Sequence, residues 1–172
     1  MNQNVHLRPT EKEDIDYLLS LMKNPEIMDY WFSEPYINRE KYTASFEERQ
    51  KDDSLRQFIA YAGDERIGYT NLHQINPRHR TAVFAIMLDP DNQGKGYAED
   101  VVRRVVDYGF CQLNLNKITL DVVDFNEKAV YIYEKVGFEV EGKKEQQYFI
   151  KGTYHNSLAM GLLRDRYESE SE

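Results

Sequence analysis

The segment Asp91 to Ala98, DNQGKGYA, carries the clearest chemistry in the chain. Two glycines flank a lysine, and a strongly periodic helix pattern follows. Glycine lets the backbone approach a ligand closely and take positive φ. The first N–H groups of a helix lack intrahelical acceptors, and the helix dipole adds attraction for an anion. Gly94 to Ala98 are therefore expected to cradle a phosphate or pyrophosphate. On glycine content alone, a plain turn and helix start fits as well. Two other glycine motifs are excluded. In a P-loop the lysine is followed by Ser or Thr, whereas Lys95 is followed by Gly96. The dinucleotide fingerprint G-x-G-x-x-G fails at Glu99, where its last glycine belongs. His6, His73, His79 and His155 show no metal-ligand spacing, and His73 and His79 read as surface or loop residues. Cys111 stands late in the long helix pattern and reads as a buried structural thiol rather than a nucleophile.

The elements that must position this loop are legible from periodicity and turn residues. Val5 to Arg8 reads as a first strand. Thr10 to Glu13 has the spacing of a capping box, and Ile15, Leu18, Leu19 and Met22 follow at helical spacing. Asn24-Pro25 ends that helix and can open another. Met28 to Tyr36, MDYWFSEPY, is dense in aromatics, and Arg39 to Lys51 reads as helix. Gln57 to Ala62, Arg66 to Gln74 and Thr81 to Leu88 read as a three-strand meander, with a turn at Gly63-Asp64-Glu65 and a break at Asn76-Pro77. Ala98, Val102, Val105, Val106, Gly109, Phe110 and Leu113 share one helix face. Lys117 to Val123 is a strand, Glu127 to Val136 a helix stopped by Gly137, and Phe138 to Ile150 and Tyr154 to Leu163 two further strands. This order predicts a mixed α/β (α+β) sheet with helices packed on it.

Bulk properties narrow the function classes. The chain has 172 residues, a length typical of one domain, and a hydrophobic fraction of 41% that is ample for one core. A net charge of −8 argues against a general nucleic-acid binder, which needs a basic face. It suits a cationic ligand, since an acidic cleft concentrates cations, though acidity also serves solubility alone. With one cysteine, no intrachain disulfide can form. Met1 to Leu7 lacks the apolar run of a signal peptide, and no segment approaches a membrane span. The expectation is a cytoplasmic protein, with one domain over 1–172 and a frayed tail over 167–172.

Gln93-Gly94-Lys95-Gly96-Tyr97-Ala98 resembles the Gln/Arg-x-x-Gly-x-Gly/Ala signature of the GNAT superfamily of acetyl-CoA-dependent N-acetyltransferases. About thirty residues on, Asn126 to Phe138 (NEKAVYIYEKVGF) resembles the superfamily's N-x-x-A-x-x-x-Y-x-x-x-G-F helix, with the expected strand between the two motifs. The resemblance implies a mostly antiparallel sheet with helices on both faces. It also implies a splayed strand pair, Thr81–Leu88 and Lys117–Val123, holding acetyl-CoA. The main chain of Gly94 to Ala98 is then expected to hold the pyrophosphate, flanked by Asp89, Gln93 and Glu99, and backbone near Met87 and Leu88 to pair with the pantetheine arm. Asn126, Lys128 and Lys135 belong to the same cofactor set. Tyr133 stands where many members place a general acid, and a phenol with a pKa of about 10 can protonate a departing thiolate. Tyr131 faces elsewhere on that helix. No metal is required for this chemistry. The substrate amine is protonated at neutral pH, and Glu34 is the candidate carboxylate for receiving its proton.

The aromatic segment resembles the Met-x-Tyr-Trp-Phe-Glu-Glu-Pro-Tyr stretch of bacterial spermidine N-acetyltransferases. The likeness continues through Asp107-Tyr108-Gly109-Phe110, Leu113-Asn114-Leu115-x-Lys117 and Tyr148-Phe149-Ile150-Lys151-Gly152-x-Tyr154. It implies a polyamine acceptor such as spermidine or spermine, a homo-oligomer, and substrate contacts from Met28, Tyr30, Trp31, Glu34 and Tyr36. No nucleic acid or membrane partner is implied. Ser33, Lys41, Gln74 and Val83 stand where that group carries acidic side chains, which predicts weakened polyamine control. The alternatives are acetylation of a protein N-terminus, an aminoglycoside or another small amine, and a non-catalytic acyl-CoA or polyamine sensor.

Overall fold

The computed structural model describes residues 4–170. Alternating apolar residues build a seven-stranded sheet in the order β1-β2-β3-β4-β5-β7-β6. Its strands are β1 (Val5–Pro9), β2 (Arg56–Ala62), β3 (Glu65–Asn76), β4 (Thr81–Leu88), β5 (Lys117–Val123), β6 (Glu139–Ile150) and β7 (Thr153–Leu163). Neighbours run antiparallel, except β4 and β5, which are parallel.

Helices cover both faces. On one lie α1 (Ile15–Met22), α2 (Pro25–Trp31) and α3 (Arg39–Arg49), whose apolar sides meet Ile59, Tyr69 and Met87. On the other lie α4 (Tyr97–Cys111) and α5 (Glu127–Val136), which bury Val102, Val105, Val106, Phe110, Tyr133 and Val136 against Ile118, Leu120 and Leu162. Gly109 lets α4 lie close to the sheet, since a Cβ there would come within 2.9 Å of Ile118 Cδ1. Asn caps start the polar helices as their sequence suggests. Asn24 Oδ1 accepts from the Glu26 N–H at 2.9 Å ahead of Pro25, and Asn38 Oδ1 accepts from the Lys41 N–H at 2.8 Å.

Two local expectations are corrected. The capping box is not Thr10–Glu13. Thr10 is drawn into the sheet edge, its N–H donating to the Gln57 carbonyl and its Oγ1 accepting from Gln50. The Asp14 carboxylate instead accepts from the Glu11 N–H at 2.9 Å, heading a short 3₁₀ turn, Lys12–Asp14, before α1. Asp14 is fully buried and is held by Arg8 and Arg66 at 2.7 and 2.9 Å. Cys111 is exposed rather than buried, because Gly109 and Phe110 take the inward positions and the next residue turns outward. Within the tail expected to fray, α6 (Arg164–Glu170) continues from β7, and Tyr167 donates to Asp107 at 2.6 Å. Positions 171 and 172 of that expected tail lie outside the described residues.

Candidate active site

The parallel ladder between β4 and β5 is short. It comprises Thr81↔Lys117, Ala82↔Ile118 and Val83↔Thr119. Beyond Val83 and Thr119 the two strands share no register pair, while each keeps its outer partner, β3 and β7. Phe84 to Leu88 thus form one lip of a split and Leu120 to Val123 the other. A split of this kind offers main-chain groups to an extended ligand, as a sheet edge does to an added strand.

The glycine loop closes the β4 end of the split. A 3₁₀ turn, Pro90–Asn92, carries the chain from Leu88 toward it, with Asp89 Oδ1 accepting from the Asp91 N–H. Gly94 and Gly96 take φ of 76° and 84°, values that L side chains rarely adopt. A Cβ at either would meet nothing within 4 Å, so backbone conformation rather than crowding requires glycine here. Gly96 is the N-cap of α4, and no side chain caps that helix. Its first-turn N–H groups therefore lack a capping acceptor, which fits an oxyanion such as a phosphate. Lys95 leans back on Asn92 Oδ1 at 3.0 Å, and Gln93 is exposed.

Glu99, one turn into α4, joins the helices. It pairs with Lys135 of α5 at 2.6 Å and with Arg103 at 3.0 Å. The Lys135 hydrogen bond is the chief cause of its lowered pKa, against the opposing effect of burial. Asn126 caps α5, its Oδ1 accepting from the Ala129 N–H at 3.3 Å. Lys128 is exposed on the first turn of that helix. Tyr133 is buried edge-on between Phe84 of the β4 lip and Phe138, at 6.1 and 5.9 Å between ring centroids. Burial pushes its phenol pKa up, so the group stays protonated at neutral pH.

The aromatic segment sits on the opposite face. Met28 is only 1% exposed and packs into the core under α1 to α3, so it supports the segment from below. Trp31 meets Tyr69 edge-on at 5.9 Å. Tyr30 tilts against Phe125, in the β5–α5 loop, at 5.8 Å. Glu34 and Tyr36 lie beyond α2, and Tyr36 is 84% exposed. The structure therefore brings Glu99 and Lys135 together and sets Tyr133 at the split, while Glu34 and Tyr36 are exposed beyond α2.

Several polar groups escaped the sequence reading. Phe32, in a left-handed conformation (φ 64°), stacks on Tyr148 at 3.6 Å. Gln57, Tyr69, Asn71 and His73 form a hydrogen-bonded row under α3, with contacts of 2.8, 3.1 and 2.8 Å. Burial raises Tyr69 to about 12 and lowers His73. His73 is thus a half-buried strand residue, not a loop one. Asp121 and Ser157 each hold a buried side-chain oxygen without a hydrogen-bond partner. Alternation marks Asp121 as facing away from Leu120 and Val122, but a single polar residue in a strand carries no further signal. Among the described residues no group of three His, Cys, Asp or Glu could hold a metal ion, and no helix is long and apolar enough to cross a membrane.

The split parallel pair, the left-handed glycine loop at the start of α4 and the buried Tyr133 phenol together make a candidate site for an acyl-CoA. The profile of the acetyltransferase (GNAT) domain matches residues 4–139, and the chain belongs to that family of acetyl-CoA-dependent enzymes. Its sequence is 40% identical over 167 residues to the spermidine N(1)-acetyltransferase of Escherichia coli K12, covering 97% of this chain and 90% of that one. Its fold matches the crystal structure of spermidine N-acetyltransferase from Vibrio cholerae in complex with CoA and spermine, at a TM-score of 0.95 and 37% identity, over 97% of this chain and 99% of that one. A dodecameric structure of the Vibrio cholerae enzyme matches at a TM-score of 0.88 and 37% identity, covering 99% of this chain and 100% of that one.

Proposed function

We propose that this chain is one acetyltransferase domain that moves the acetyl group of acetyl-CoA onto a primary amine of a polyamine, spermidine or spermine, as a homo-oligomer in the cytoplasm. The observation that carries the transfer chemistry is the split between β4 and β5 with Tyr133 against its lip. Full-length likeness to spermidine acetyltransferases supports the polyamine, and the dodecamer of a relative supports the oligomer.

The amine must first lose a proton, since its pKa is about 10.4; Glu34, exposed beyond α2, is the carboxylate offered for that proton through water. The neutral nitrogen attacks the thioester carbonyl, the carbon–sulfur bond breaks, Tyr133 gives its proton to the departing sulfur, and the proton that the nitrogen sheds on becoming an amide restores the phenol. Burial favours this role, because a phenol with a raised pKa is protonated before each turnover.

The test is release of CoA thiol from acetyl-CoA with spermidine and spermine beside an aminoglycoside and an N-terminal peptide. Release with the polyamines alone is expected. Release only with another amine would retain the acetyltransferase and retire the polyamine. Acetyl-CoA binding with no release for any amine would leave a sensor. Because Ser33, Lys41, Gln74 and Val83 are not acidic, the spermidine saturation curve is expected to be hyperbolic, and a strongly sigmoidal one would contradict this.

A further inference from the structure

The register places a second functional group on the amine side of the split. Val83 pairs with His73 on one side and Thr119 on the other. Alternation then aligns Tyr69, Asn71, His73, Val83, Thr119 and Asp121 on the face that α1 to α3 partly cover. Leu120 and Val122 point the other way, into the core beneath α4 and α5. Asp121 stands on the β5 lip, two residues past the last ladder pair, about 7 Å along the strand.

Its carboxylate is half satisfied. Oδ2 accepts from Lys144 Nζ of β6 at 2.9 Å, while Oδ1 is buried without a partner. On β7, Ser157 Oγ is likewise buried and unpartnered. Val123 pairs with Ser157 and Asp121 with Ala159, so the two orphan oxygens belong to diagonal neighbours on one face. A buried carboxylate oxygen left without a donor is costly, and two such groups together mark a place where water or a ligand supplies the hydrogen bond. Beside them Phe32 and Tyr148 form a flat stack. The Asp121 charge, after burial, contributes to holding the Tyr148 phenol pKa up.

Lys144 supplies the clue to the missing donor. It is a primary alkylammonium on a flexible stem, which is also the chemistry of each end of a polyamine. Its side chain is 45% exposed, so it can leave Asp121 for water without crossing the core. We infer that Asp121 is the seat for a charged nitrogen of the acceptor, one that is not acetylated. Lys144 is an internal ammonium that occupies this seat until the substrate exchanges for it. Ser157 Oγ lies within the same seat. The assignment deepens the polyamine reading and rests on it, and it makes Asp121 a specificity residue that favours acceptors bearing a second positive charge.

Exchange predicts opposite effects for the two partners, which a purely structural ion pair does not. CoA-thiol release by the full chain gives KM for spermidine and for acetyl-CoA. Asp121→Asn is expected to raise the spermidine KM about tenfold or more, the scale of one charge-assisted hydrogen bond. Lys144→Met is expected to lower it severalfold. The acetyl-CoA KM stays unchanged in both. Thermal melting of each variant reports whether the fold is intact. An unchanged spermidine KM in Asp121→Asn overturns the inference, and so does a rise in both variants. Should the unchanged chain acetylate another amine and not spermidine, the polyamine reading fails by itself. The same two variants measured with that amine still decide whether Asp121 seats it. A chain that acetylates no amine overturns both.

Discussion

Between Leu88 and Glu99 the site is made of backbone, whereas around α2 and the β5 lip it is made of side chains from separated segments. The donor half needs only that β4 and β5 part company after Val83 and that Gly94 and Gly96 hold left-handed conformations at an uncapped helix start. The acceptor half proposed above rests on Tyr30 against Phe125, Phe32 against Tyr148 and Asp121 beside Lys144. Backbone recognition is tolerant of the sequence around it, so one donor can be kept while acceptors change. Side-chain recognition turns on a few charges, and Ser33, Lys41, Gln74 and Val83 are uncharged or basic where the sequence resemblance leads one to expect acidic side chains.

That contrast can be broken first at Tyr133, which belongs to neither half. Tyr133→Phe is expected to lower kcat by about 10²–10⁴, the usual weight of a general acid, while calorimetry finds acetyl-CoA binding nearly unchanged. Equal loss of rate and affinity would make Tyr133 a packing residue. A smaller effect is expected at the donor loop. Gly96→Val forces a β-branched residue to φ 84°, strain of about 1–3 kcal/mol, and should raise the acetyl-CoA KM about tenfold with little change in spermidine KM. A parallel rise in both would show that the halves are not separable. Gly109→Ala tests the scaffold beneath them. Overpacking Ile118 is expected to cost about 1–3 kcal/mol, read as a lower melting temperature with both KM values intact.

The smallest effect is expected at the Glu99 bridge between α4 and α5. Its pKa is lowered in the folded chain, so its contribution is present above the ordinary carboxylate range and fades as pH falls through the folded value. Glu99→Gln should therefore melt slightly earlier than the unchanged chain at pH 7, and the gap should close in acid. A gap that persists in acid would assign the loss to packing instead.

The sequence by itself determined most elements and the conformation of the glycine loop. Turn residues, helix periodicity and strand alternation mark β4, β5 and α5 to the residue, because each signal lies within a few neighbours. The glycine loop was legible for the same reason, since positive φ and a helix start are local properties. The Thr10 cap failed because Gln50 and Gln57, forty or more residues away, compete for Thr10. The buried reading of Cys111 failed because the core takes its neighbours. The seat proposed at Asp121 was decided by tertiary structure alone. Asp121, Lys144, Tyr148 and Phe32 come from β5, β6 and the end of α2, and only sheet register and the seating of α2 bring them together. A charge pair between distant strands leaves no periodic trace in either one, so its existence is set by the fold and not by any local run of residues.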